Sequence, residues 1–459
     1  MRATPVHLSP EEPRDAASLG ALREADLAVL WERGHVPASA MVSLGGTPMH
    51  IIYRGRRNAG PGPDFRDAML ALPDGSLLHG DVELHLRASD FRRHGHGRDP
   101  AYNSVILHLV YHADDGASTV LQSGGRAPVV SLERWLLARA GELRQILEQP
   151  ALWREPCQTS IERMGTATVG QTLERLGDRR LRAKSAALAG RLPAIALYQG
   201  LLRTLGHGSQ QAAWLQLDDR VPPTVLQRLG RAAGTPPDAS TLEAILLGSA
   251  GLLPALALRE DGGESSPYLR HAWQVWQSCG LPAGAAIQTS GSRRPANHPA
   301  RRLEGLARLL GGGLQPLLDG LHGHVRNIAE PAPSLVRLLT VPAAGIWQER
   351  YLPWDDSTAA APPPALIGAG KALELAINAV LPVLLAMADR DRERELADTI
   401  YNVLHALPAP PPYGRTAHLD RALRAEGESL IRGAARSQGT LHLFAGYCTQ
   451  GGCGHCPLS

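Results

Sequence analysis

The chain has 459 residues, too many for one ordinary domain, and its 44% apolar against 20% charged content suits packed cores rather than global disorder. Its 47 Lys and Arg against 44 Asp and Glu leave a net charge of +3, which excludes a strongly basic, histone-like binder but not a local basic groove. Only two of the cations are lysines, Lys184 and Lys371, and both lie beyond residue 183.

Residues 18–33 carry Leu19, Leu22, Leu27, Leu30 and Trp31 at near-helical spacing. Met49–Tyr53 reads as a strand. Phe65–Leu72 and Leu77–Leu86 flank Pro73-Asp74-Gly75-Ser76, a hairpin signal. Ser89-Asp90 suits the cap of a short helical segment, and Val105–Tyr111 is the clearest strand. Asp114-Asp115-Gly116 turns it, a strand near Pro128–Val130 follows, and 131–148 reads as a helix. From about residue 166 nearly everything is helical, with Leu/Ala stripes punctuated by Gly and Pro. The expected division is a mixed α/β (α+β or α/β) domain over 1–150, a larger all-α domain over 151–445 and a cysteine-rich tail over 446–459. The most apolar stretch, Ala379–Ala388, contains Pro382 and is far short of the roughly 20 residues that cross a bilayer. A buried helix and no membrane contact are expected there. With no apolar leader and only five cysteines, a cytoplasmic protein is expected.

Four constellations could carry chemistry. In the first, Asp64 opens one hairpin strand, while Glu83 and His85 share a face of its partner. Carboxylates from two paired strands can converge on one Mg²⁺ or Mn²⁺. In the second, His94, His96 and Asp99 follow the Glu83 strand, with His108 on the next; this is metal or phosphate chemistry, or else a solvated loop. The third is Cys448, Cys453 and Cys456, a C-x₄-C-x₂-C set that needs a fourth ligand. Cys157 is the attractive candidate, and zinc and a four-iron cluster are both open. The fourth is Arg293, Arg294, Asn297, His298, Arg301 and Arg302 around a helix start near Pro299, a candidate phosphate contact in nucleic acid.

Pro63-Asp64, followed after 18 residues by Glu83-Leu84-His85, resembles the PD-(D/E)XK motif of restriction-endonuclease-like nucleases. The order helix, three strands, short helix, strand resembles their αβββαβ core. That resemblance implies that Asp64 and Glu83 bind the metal, with Glu24 or Glu32 on the first helix as a third carboxylate. It also implies lysine where this chain has His85, a residue that could hold the nucleophilic water or join the metal shell. The C-x₂-C-Pro ending is similar to the iron–sulfur loops of some DNA glycosylases, and some PD-(D/E)XK exonucleases carry a four-cysteine iron–sulfur staple. Over nearly its whole length the chain is similar to a bacterial family, domain of unknown function 2851. The residues that carry this likeness are Gly60–Val110, Glu243–Leu253, Arg294–Pro299, the segment from Gln438 and the cysteine tail. Within that likeness, Phe91 stands where tryptophan is expected.

The leading expectation is a metal-dependent nuclease using Asp64, Glu83 and His85. The alternatives are a non-catalytic nucleic-acid or protein-binding module on the same fold, and a phosphoesterase for small substrates.

Overall fold

The computed structural model describes residues 22–58, 60–74, 76–150, 157, 159–206, 211–233, 237–253, 267–282, 284, 287, 297–354, 362–448 and 455–459. The chain divides into two units. One comprises 1–169 with 421–425 and 443–459, and the other comprises 170–420 with 426–442. By this division the first unit runs to 169, and 443–459 groups with it.

The first unit is built on a seven-stranded mixed sheet. Its strands are β1 (His50–Tyr53), β2 (Arg56–Arg57), β3 (Phe65–Ala71), β4 (Leu77–Arg87), β5 (Val105–His112), β6 (Ser118–Val120) and β7 (Arg126–Ser131), in the order β1-β3-β4-β5-β7-β6 with β2 beside β3. β1, β3 and β4 are antiparallel, while β4–β5 and β5–β7 are parallel. Helix α1 (Glu24–Glu32) puts Leu27, Leu30 and Trp31 against Val82, Leu84, Leu107 and Leu109 on one sheet face. Strand alternation then turns Glu83, His85 and His108 to the opposite face. Helix α2 (Asp90–Arg93) and the turns after it carry Phe91 and Tyr102, which pack with Val105, Leu121 and Ala127.

The element order through β5 follows the sequence. Two short strands, β2 and β6, have no usable periodicity and were not anticipated. The single helix expected over 131–148 is α3 (Glu133–Leu137) and α4 (Leu143–Glu148) with a 3₁₀ turn between them.

A bulge shapes the β3–β4 pair. Phe65 pairs with Val82 and Ala68 with Gly80, so β3 holds one extra residue there. Asp67 takes a φ of 59° in that bulge. Its N–H donates to Asp81 Oδ1 (3.0 Å), while Arg66 Nη1 (2.7 Å) and Ser104 Oγ (2.6 Å) donate to Asp81 Oδ2. Gly80 is needed beside it, because a Cβ would strike the Ser104 carbonyl oxygen and Ile106.

The second unit is helical. Pro193, Pro299 and Pro331 each open a helix at the first turn, where a missing N–H costs nothing. One helix runs from Ala369 to Asp391 and is long and apolar enough to cross a membrane by length and composition, contrary to the sequence expectation. Its residues pack in the core of this unit. Pro382 does not break it, because a π-turn over Ala376–Val380 absorbs the lost hydrogen bond one turn earlier.

Candidate metal centre

Glu83 and His85 sit two residues apart on β4 and are 4% and 1% exposed. Asp64, just before β3, is half-buried. The two carboxylates are laced across the strands. The Asp64 N–H donates to Glu83 Oε2 (3.1 Å), and Asp64 Oδ2 accepts the Leu84 N–H (3.0 Å). Burial, then the Asp64 charge, pushes Glu83 up to about 9. Burial likewise raises Asp64, and the Glu24 charge adds to it. Glu24 is thus near enough to act on both, although exposed at the start of α1. Glu32 instead pairs with Arg57 at 3.2 Å on the surface.

The sequence His94-Gly95-His96 needs its glycine. Gly95 has a φ of 81°, closing α2 with a left-handed residue between the two histidines. The turn brings both imidazoles over His85. His94 Nδ1 lies 3.2 Å from His85 Nε2, and His96 Nε2 lies 3.4 Å from Glu83 Oε1. His85 Nε2 is 3.6 Å from that same oxygen. One ring nitrogen from each of His85, His94 and His96 falls within 4.8 Å of the others. His94 is exposed and His96 half-buried, so the cluster has an open rim.

Behind the rim is a buried chain. His85 Nδ1 meets His108 Nε2 at 2.9 Å, and His108 Nδ1 meets Thr119 Oγ1 at 2.7 Å. Burial, then the neighbouring imidazoles, holds His85 down to about 2, and His108 down to about 4 for the same reasons. His96 is also lowered by burial, with His94 adding to it. At neutral pH the His85 and His108 rings carry no charge.

Phe91, Tyr102 and Thr119 belong to the site, though sequence reasoning missed two of them. Phe91 lies 5.3 Å from His108 and 5.5 Å from His96, and it packs the imidazoles together. Tyr102 stacks on His96 at 4.0 Å, and burial, then Glu83, pushes its hydroxyl up to about 12. Nothing marked Tyr102 or Thr119 in the sequence, because each gains its role from a contact made only on folding. Asp99 is exposed; its carboxylate accepts the Ala101 N–H (2.8 Å) and caps the turn that carries Tyr102.

Among the described residues of the arginine segment, Arg301 and Arg302 are turned inward and offer no surface to a phosphate. Arg301 is fully buried, donating to the Tyr351 carbonyl at 2.9 Å and to that of Pro364 at 2.5 Å. Arg302 is buried and donates to the Leu205 carbonyl at 2.9 Å. Both face the core because they lie on the packed side of the helix Pro299–Leu310. His298 caps that helix by accepting the Ala300 N–H at 3.2 Å, and Asn297 is exposed just before it. Arg293 and Arg294 lie outside the described residues.

Cys157 is buried, Cys448 and Cys456 are half-buried, and Cys453 lies outside the described residues. Within the first unit, the Ser160 hydroxyl donates to the Cys157 carbonyl (2.8 Å) and Arg163 donates to that of Leu458 (2.5 Å).

The first unit is thus an α/β layer with a histidine–carboxylate cluster on one face of its sheet. A family model described as "Protein of unknown function (DUF2851)" matches residues 24–410, and the chain belongs to that family. The match takes in the sheet, the histidine cluster and the Glu243 helix, and it ends before Gln438 and the last cysteines. No curated protein and no solved structure matches the chain.

Proposed function

We propose that the first unit is a metal-dependent phosphodiesterase acting on nucleic acid, built on a variant of the PD-(D/E)XK core. The observation that carries this reading is the meeting of Asp64 and Glu83, from two paired strands, in a buried pocket rimmed by imidazoles. The order α1, β1, β2, β3, β4, α2, β5, antiparallel and then parallel, supports the reading with the two-residue β2 as an addition off the main sheet path.

The donor set fits a divalent cation. Both carboxyls are raised by burial, and Arg66, whose charge reaches Glu83, is held by Asp81 at 2.7 Å. Asp64 and Glu83 would hold Mg²⁺ or Mn²⁺, which when bound polarises a phosphoryl oxygen and acidifies a water. His85 occupies the position of the usual lysine. An imidazole kept neutral down to about pH 2 accepts a hydrogen bond but takes a proton poorly. Its role is therefore to position the nucleophile, with His108 fixing its ring. His94 and His96 line the open edge where a phosphodiester enters.

The test is to incubate the full chain with single- and double-stranded DNA and RNA in Mn²⁺. Cleavage that disappears in Asp64→Asn supports the reading, and cleavage that survives it removes this site. A non-catalytic binding module is the second reading, favoured by the lack of any lysine before residue 184. Binding without cleavage in Mn²⁺ would establish it.

We also propose that Cys157, Cys448, Cys453 and Cys456 hold zinc or a four-iron cluster. Support comes from the ties that both cysteine segments make to the start of the helix Ser160–Ala186. Elemental analysis with an anaerobic absorbance spectrum distinguishes the two.

A further inference from the structure

We propose that His85, His94 and His96, with Glu83, form a nitrogen-rich site for a borderline divalent transition ion of the zinc class. This site is chemically different from a magnesium site. It lies in the same cleft as the proposed hydrolase but stands without it, because metal content is read without turnover.

The argument begins with ligand type. Mg²⁺ takes oxygen ligands in an octahedron, whereas imidazole suits zinc and its neighbours. Geometry follows. Nitrogen and oxygen ligands at 2.0–2.1 Å around a tetrahedral ion lie about 3.4 Å from one another. Three separations here fall near that edge length: His85 Nε2 to His94 Nδ1 at 3.2 Å, His96 Nε2 to Glu83 Oε1 at 3.4 Å, and His85 Nε2 to Glu83 Oε1 at 3.6 Å. Every pair among the three ring nitrogens is within 4.8 Å, so a small closure of the exposed His94 completes the set.

The buried chain behind His85 is the second observation. A ligating histidine is usually oriented by a partner on its other nitrogen. Here His85 Nδ1 meets His108 Nε2, and His108 Nδ1 meets Thr119 Oγ1. The tautomer with both Nδ1 atoms protonated leaves His85 Nε2 bare beside His94 and Glu83. Phe91 and Tyr102 pack the rings in place.

The experiment uses the metal-stripped full chain titrated with Zn²⁺, and with Co²⁺ as a spectroscopic probe. One ion is expected with cobalt ligand-field bands but no thiolate charge transfer, separating it from any ion on the cysteines. The His94→Ala/His96→Ala double variant, changed only at the open rim, should lose one ion equivalent and those bands. Thr119→Val should weaken that ion by about 10- to 100-fold with the fold intact by circular dichroism. The inference is overturned if the double variant keeps the wild-type metal count and affinity. It is equally overturned if all bound cobalt shows thiolate charge transfer. Metal bound at the histidines without any cleavage leaves this site standing and removes the hydrolase reading.

Discussion

Each unit buries carboxylates, and the two clusters differ in what answers them. In the first unit, Glu83 takes the Asp64 N–H and otherwise faces imidazoles at an open rim. In the helical unit, Glu243 on the helix Ala239–Ser249 and Glu304 on the helix Pro299–Leu310 are 7% and 2% exposed. Glu243 accepts from the Tyr268 hydroxyl and from Trp347 Nε1 at 2.9 Å, and Arg308 pairs with Glu304. Burial raises both clusters, with Glu83 near 9 and Glu304 near 8. A perturbed pKa alone therefore does not mark a functional group. The distinguishing feature is what lies beside the oxygens: Tyr268, Trp347 and Arg308 in the helical unit, and imidazoles at an open rim in the first.

The sharpest test swaps the same isostere into both clusters. Glu83→Gln should lower any Mn²⁺-dependent cleavage by about 10³-fold, equivalent to about 4 kcal/mol of barrier. Glu304→Gln should change the unfolding free energy by less than about 1 kcal/mol at pH 7, because burial and the Glu243 charge already disfavour its charged form. Equal, small effects of the two substitutions would erase the contrast. Next in size is Glu243→Ala, which leaves the Tyr268 hydroxyl and the Trp347 indole N–H unanswered. Denaturant unfolding should show a loss of about 3 kcal/mol, with metal content unchanged.

Asp81 provides the comparison within one strand, two residues from Glu83. Three donors meet its carboxylate and hold the β3 bulge. Asp81→Ala should cost about 2 kcal/mol by urea unfolding. Any loss of activity should follow that lost stability and be recovered at lower temperature, unlike the loss in Glu83→Gln.

Much of the first unit was legible in the sequence, since Val82, Leu84, Leu107 and Leu109 alternate with Glu83, His85 and His108 and so assign the two faces of the sheet. Proximity in sequence also placed His94 and His96 near the Glu83 strand. Tyr102 and Thr119 were illegible because their partners are 6 and 11 residues away and are met only through the 3₁₀ turns on either side of Asp99 and the β5–β6 connection. The arginines misled for a physical reason. A guanidinium has enough donors to be buried against backbone carbonyls, so charge in the sequence did not imply surface. Pro382 misled similarly, because a π-turn can absorb what reads as a helix break.

The smallest expected effect concerns Lys184, a half-buried cation of the helical unit. Lys184 donates to Asn378 Oδ1 at 2.6 Å and Gln438 Oε1 at 3.1 Å, neutral acceptors that solvate the ammonium without cancelling its charge. Asn378 lies in the π-turn, so the irregular turn presents the acceptor. Burial, followed by the Arg180 and Arg203 charges, lowers Lys184 to about 7, whereas the unfolded lysine keeps its proton to its ordinary 10.5. Between those values the unfolded chain binds more protons, so stability rises with pH through that window. Glu304 has the opposite sign: between its ordinary 4.5 and about 8 the folded chain holds the extra proton, and stability falls as pH rises. Thermal unfolding from pH 7 to pH 10 should therefore show a rise of about 3 °C that Lys184→Met abolishes. If the rise persists in that variant, another group carries it, and the Asn378 and Gln438 oxygens solvate the ammonium well enough for Lys184 to keep its proton.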